Sequence, residues 1–208
     1  MSGGFKYIES KRVSKAQKRR DAKAAKKVEQ QKRIEEGEKL DEHKERSIET
    51  DRLEKLLDHQ GLKIHQIDAD GDCLYKAVEH QLSLASDTDD RLSFQDLRER
   101  TSQYMLANSE DFLPFLLNDQ GELMGDEEFT RYCNRIARTK EWGGHLELTA
   151  IAQITRKSIH IYQADNKNPI KIEPRCHSDK SPISLSFHKH LYRLGEHYNS
   201  VVAKPNEE

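Results

Sequence analysis

Asp68-Ala69-Asp70-Gly71-Asp72-Cys73-Leu74-Tyr75 is the stretch around which this 208-residue chain is organised. Before it, Lys63-Ile64-His65-Gln66-Ile67 alternates as a strand does, and after it Leu74, Ala77, Val78 and Leu82 recur at helical spacing. A helix is therefore expected from Cys73 to about Leu84, capped by Asp70 or Asp72, with Gly71 allowing a sharp turn. A cysteine at a helix N-terminus sits among unpaired N–H groups and the positive end of the macrodipole, which favour a thiolate. The N–H groups of Gly71, Asp72 and Cys73 are also candidates to hold a developing oxyanion. Two other readings compete. A lone cysteine opening a helix can be plain packing. The acids resemble the start of a calcium loop, with Asp68 at position one and Glu79 at position twelve, but the glycine falls too early and the middle is apolar and basic, so no metal is expected.

A cysteine nucleophile needs a base. In Gly195-Glu196-His197-Tyr198-Asn199-Ser200-Val201-Val202 a strand follows a glycine turn, and alternation puts His197 and Asn199 on one face. The Asn199 amide oxygen can then orient one ring nitrogen and leave the other for the thiol, with Asp70 as a second candidate orienter.

These motifs resemble a known family. D-G-D-C-L-Y (Asp70–Tyr75) and G-E-H-Y-N-S-V (Gly195–Val201) look like the Cys-loop and His-loop of the ovarian-tumour (OTU) cysteine deubiquitinases. Glu141-Trp142-Gly143-Gly144-His145-Leu146-Glu147-Leu148 resembles the family's middle segment, and Val13–Arg20 resembles the N-terminal arm of its sixth-type branch. The resemblance implies Cys73 as nucleophile, His197 as general base, and Asp70 and Asn199 as the remaining active-site residues. It also implies that Gly121–Asp126 and Trp142, Gly143, Gly144 and His145 flank the path of a ubiquitin tail, although Trp142 reads equally as a core plug. His145 stands where that branch often has glutamine.

Charge is unevenly spread. Lys6 to Arg33 holds twelve Lys or Arg against Glu9, Asp21 and Glu29, a net of +9, so with the whole chain at −2 the remainder carries −11. A basic arm joined to an acidic body points to two different partners. Along a helix, Lys11, Arg12, Lys15, Lys18, Arg19, Arg20, Lys23, Lys26 and Lys27 form a cationic stripe suited to phosphates, with no aromatics for base stacking. Binding to structured RNA, specifically a ribosomal subunit or its rRNA, is expected over an inert solvated helix. Cys73, Cys133 and Cys176 without a secretory signal point to free thiols in a reducing compartment, the cytoplasm first and the nucleus second. No apolar run is long enough to span a membrane.

The expected organisation is a basic, mostly helical arm (1–49), an OTU-type catalytic domain (50–203) and a short tail (204–208), acting as a monomer. Residues 1–10 read as disordered and 85–90 as a polar loop. The fold class is α+β: a small, mostly antiparallel sheet packed between helices, preceded by a long charged helix. A capping box is expected at Ser93–Asp96, and Phe94, Leu97, Tyr104 and Met105 form the stripe of the helix it opens. A short helix from Ser109 is expected to bury Phe112, Phe115, Leu116 and Leu117. Asp126 is expected to cap a helix bearing Phe129, Tyr132, Cys133 and Ile136. Another helix is expected over 147–155, and strands over 158–163, 170–172, 183–187 and 197–202. The expected function is a thiol hydrolase cutting the (iso)peptide bond after the ubiquitin C-terminus, with ubiquitin as partner and no cofactor. The alternative is a non-catalytic ribosome- or RNA-binding factor with a vestigial protease domain.

Overall fold

The structure, a computed structural model, describes residues 15–84, 91–176, 181–192 and 195–205. Residues 1–10, Lys11, Arg12 and the expected loop at 85–90 lie outside the described residues. Contacts divide the chain into two units, residues 1–45 and 46–208.

Helix α1 runs unbroken over Lys15–Asp58. Its Lys, Arg, Glu, Gln and Ala content favours helix, and it contains no proline. The helix stops where Gly61 takes φ +67° and its N–H bonds the Asp58 carbonyl at 3.0 Å. In the first unit, Arg20, Lys23, Lys26 and Lys27 are exposed. Among the described residues no helix is long and apolar enough to cross a membrane.

In the second unit, strand β1 (Leu62–His65) leads to helix α2 (Cys73–Ser83). Helices α3 (Phe94–Ala107), α4 (Asp126–Arg138) and α5 (His145–Thr155) follow, then β2 (Ile159–Tyr162), β3 (Ile170–Ile172), β4 (Ile183–Tyr192) and β5 (Gly195–Ala203). The sheet order is β1-β5-β4-β2-β3, antiparallel except for the β2–β4 pair. The architecture is α+β. One face carries Ile159, Leu185, Phe187 and Tyr198 into a core with Tyr75, Val78, Leu97, Phe129, Leu148 and Ile151 of α2–α5. The other face packs Tyr162 and Val201 against Leu53 and Leu57 of α1. Each such full burial is worth about 1.5–3 kcal/mol. Buried Glu49 of α1 fastens that helix to β4 by accepting the Lys189 and His190 N–H groups at 2.7 and 2.9 Å.

Local signals vary in how far they reach. The α3 capping box forms: Ser93 Oγ accepts the Asp96 N–H, and Asp96 accepts the Ser93 N–H, both at 3.1 Å. At α4 the N-cap is Gly125 instead of Asp126, and Glu128 reaches back to the Gly125 N–H at 3.2 Å. The segment after Ser109 is not one helix. It forms two 3-10 turns, Ser109–Asp111 and Leu113–Phe115, because Pro114 removes an N–H, and the chain then extends so that Leu117 bridges Leu123. Phe112 is buried and Leu116 packs on the core, whereas Phe115 (71% exposed) and Leu117 (57% exposed) face solvent.

Candidate active site

The loop before α2 is built on Asp70. Its carbonyl accepts the Cys73 N–H at 3.1 Å, and its Oδ1 accepts the Asp72 N–H at 3.0 Å. The other carboxylate oxygen receives Lys76 Nζ at 2.8 Å and Lys140 Nζ at 3.1 Å. Burial alone would push the Asp70 carboxyl up; the Lys76 and Lys140 ammoniums and the Asp72 N–H outweigh it and hold it below the usual carboxylate range. Asp72 takes the N-cap position of α2, but its side chain makes no cap bond and turns to Arg98 at 2.8 Å. Gly71 serves close approach and not unusual φ, since a Cβ there would lie 2.1 Å from the Lys140 carbonyl oxygen. The structure therefore gives two of the three expected oxyanion donors, the Asp72 and Cys73 N–H groups, an internal partner.

Cys73 is buried at the N-terminus of α2, against the edge that β5 exposes beyond its pairing with β1. The backbone N–H groups of Tyr198 and Leu74 beside its sulfur favour the thiolate. Burial nevertheless dominates and pushes the thiol above its ordinary value, with the Asp70 charge acting the same way. The helix N-terminus thus does not make a standing thiolate here; desolvation is the larger effect.

His197 and Asn199 share one face of β5, as strand alternation requires. Ring Nε2 lies 3.0 Å from Asn199 Oδ1, and the same oxygen accepts the Ile67 N–H at 2.8 Å. The Ile67 backbone hydrogen-bonds the His197 ring as well. Burial pushes His197 below its ordinary value of 6.5, against the opposing pull of Asn199, Ile67 and the Asp70 charge. Asp70 reaches His197 through its field; its carboxylate bonds go to lysines and to its own loop. Helix α2 is stapled to β5 by Gln81, whose Nε2 donates to Ser200 Oγ at 2.7 Å and to the Val201 carbonyl at 2.8 Å.

Cys73 opens onto a cavity of about 300 Å³ whose walls include Trp142, Gly143, Gly144, His145, Glu147 and Tyr198. Gly143 is closely packed, since a Cβ would come 3.2 Å from Leu74 and 3.3 Å from the Tyr75 ring. Trp142 is 42% exposed and lies against Gly195, so it is a wall of the cavity and not a core plug. Glu147, 2% exposed, holds the glycine segment: it accepts the Gly144 N–H and the Tyr132 hydroxyl, both at 2.6 Å. Among the described residues no group of His, Cys, Asp or Glu side chains is gathered as metal ligands would be. Gln81, Arg98, Lys140 and Glu147 escaped the sequence reading, because each looks like an ordinary polar helix or loop residue until its partners are known.

A thiol at a helix start, a His–Asn pair on the neighbouring strand and a glycine-walled cleft are the parts of a cysteine protease centre. The sequence profile of the OTU-like cysteine protease family matches residues 68–198. The chain belongs to that family. Deubiquitinase OTUD6B of Homo sapiens is 43% identical over 196 residues, covering 94% of this chain and 65% of the human protein. The Xenopus laevis OTUD6B is 43% identical over 200 residues, covering 96% and 66% respectively. Ubiquitin thioesterase otu2 of Schizosaccharomyces pombe is 31% identical over 159 residues, covering 76% of this chain and 51% of its own. The chain thus spans just under two thirds of the length of the OTUD6B relatives. Among solved structures, the OTU domain of OTUD1 superposes with a TM-score of 0.55 at 24% identity, covering 76% of this chain and 97% of that one, which fixes the OTU fold.

Proposed function

We propose that this OTU domain is a deubiquitinating thiol hydrolase, with Cys73 as nucleophile, His197 as general base and acid, and Asn199 as the group that orients the imidazole. The observation that carries the reading is the junction of α2 and β5: Cys73 and Tyr198, next in chain to His197, share the wall of one cavity. Relatives named deubiquitinase and ubiquitin thioesterase support ubiquitin as the substrate.

In this mechanism His197 takes the Cys73 proton as sulfur attacks the carbonyl carbon of the ubiquitin C-terminal residue. Backbone N–H groups of the Gly71–Cys73 loop hold the oxyanion, for which Asp70 must yield the Asp72 and Cys73 N–H groups it now occupies. Collapse breaks the C–N bond, and His197 delivers its proton to the departing lysine amine. Water, deprotonated by His197, then splits the thioester into a carboxylate and free thiol. The tail would run along Trp142, Gly143, Gly144 and His145, which line the cavity beside Cys73.

Cleavage of a fluorogenic ubiquitin C-terminal amide and of isopeptide-linked di-ubiquitin tests the reading. Release of ubiquitin with an intact C-terminus by the wild-type chain is expected; no turnover of either substrate would contradict it.

The basic part of α1 recruits the enzyme to structured RNA of a ribosomal subunit. Exposed Arg20, Lys23, Lys26 and Lys27 support this, since a row of cations on one helix neutralises phosphates without reading sequence. Co-sedimentation with purified small ribosomal subunits should be lost on deleting residues 1–33 and weaken with salt; unchanged binding would refute it. All three cysteines are free thiols, which supports a reducing compartment such as the cytoplasm.

A further inference from the structure

Arg98, on α3, is 4% exposed. A buried guanidinium is costly unless its donors are engaged, and four of the five N–H groups of this one meet acceptors. Nε donates to Asp72 Oδ1 at 2.8 Å and Nη1 to the Ile136 carbonyl at 2.9 Å. Nη2 is shared between the Gly71 carbonyl at 2.6 Å and the Glu141 carbonyl at 3.0 Å. The guanidinium carbon lies 4.3 Å from the centre of the Tyr75 ring, a cation–π contact.

These acceptors are not scattered. Gly71 and Asp72 directly precede the nucleophile, and Glu141 directly precedes the Trp142–His145 wall of the cavity. Because a peptide group is planar, holding the Gly71 carbonyl also sets the direction of the Asp72 N–H, which points the opposite way within the same plane. That N–H points at an anionic oxygen already, the Asp70 carboxylate at 3.0 Å. We propose that Arg98 is a positioning residue that locks the nucleophile loop, from which the oxyanion donors must come, to the substrate-facing glycine segment. This rests on the reading of Cys73 as the nucleophile. Its charge has a second effect: beside Asp72 and close to Cys73, Arg98 opposes the upward shift of the thiol. Lysine cannot replace it, since a single ammonium cannot reach a carboxylate and three carbonyls in a planar fork.

The test compares wild type with Arg98→Lys and Arg98→Gln in the full chain, each assayed well below its own Tm. With a ubiquitin C-terminal amide, kcat should fall about ten- to a hundredfold in both variants, the scale of a misplaced catalytic loop, with KM changed less than kcat. Alkylation of Cys73 by iodoacetamide, which needs no oxyanion donor, should slow far less. Amide exchange in the folded variants should rise together at residues 71–73 and 141–144, and this readout holds even if wild type fails to turn over ubiquitin, which would sink the hydrolase reading instead. Either variant retaining wild-type kcat, exchange rising in one loop alone, or both variants failing to fold would overturn the proposal, the last by showing that Arg98 serves the fold as a whole.

Discussion

His197 Nε2 stands 3.0 Å from Asn199 Oδ1, and that oxygen is itself fixed by the Ile67 N–H at 2.8 Å. The amide is therefore a rigid acceptor two residues along the same strand. Asn199→Ala should lower kcat on a ubiquitin amide by about tenfold or more, part of the usual worth of an oriented general base. Asn199→Asp keeps the acceptor and should lose less. Equal activity of Asn199→Ala and wild type would remove Asn199 from the machinery.

Glu147 joins α4 to the cavity wall through the Tyr132 hydroxyl and the Gly144 N–H. Glu147→Ala orphans both donors, and an unpaired buried donor costs about 1–3 kcal/mol. A lower Tm is expected together with a raised KM for ubiquitin substrates, because Gly144 loses its tether. An unchanged Tm would show that the two donors find other partners.

The free enzyme should hold a neutral pair at neutral pH. Burial raises the Cys73 thiol above its ordinary 9.0 and lowers His197 below 6.5. In a Cys176→Ser background, alkylation of Cys73 by iodoacetamide should therefore keep climbing past pH 9.0, the ordinary thiol value. The acid limb of kcat/KM should fall below pH 6.5, since a depressed imidazole remains a base to lower pH. An alkylation rate already level in mildly acidic buffer would indicate a standing thiolate–imidazolium pair.

His188 lies directly across the β4–β5 ladder from His197, 1% exposed, and burial with the neighbouring imidazole pushes it down to about 4. Between that value and 6.5 the unfolded chain binds the extra proton and the folded one does not, so stability present above pH 6.5 is lost as pH falls. The slope approaches roughly 1.4 kcal/mol per pH unit in that window. Chemical denaturation from pH 7 to 4.5 should show the decline, and His188→Met should flatten it. Identical slopes would mean that another group governs acid lability.

The sequence is most legible where one local rule decides. Alternation places His197 beside Asn199, hydrophobic spacing starts α2 at Cys73, and Ser93 with Asp96 announces α3. It is least legible where a residue's partner comes from far along the chain. Arg98 meets Asp72, Gly71, Ile136 and Glu141, and a helical arginine ordinarily reads as solvent-facing. Asp70 looked like a cap or an orienter, yet Lys76 and Lys140 claim its carboxylate. Phe115 and Leu117 looked like core because their type was weighed without the break that Pro114 makes. The thiol itself shows how competing effects settle: the helix start favours thiolate, and burial, seen only in three dimensions, outweighs it.

Reaction with ubiquitin carrying a C-terminal electrophile, followed by intact mass, tests the central claim most directly. The wild-type chain should gain the mass of one ubiquitin, Cys176→Ser should gain it equally, and Cys73→Ala should not. Labelling that survives Cys73→Ala, or a wild-type chain that stays unmodified, would contradict the assignment of Cys73 as the nucleophile.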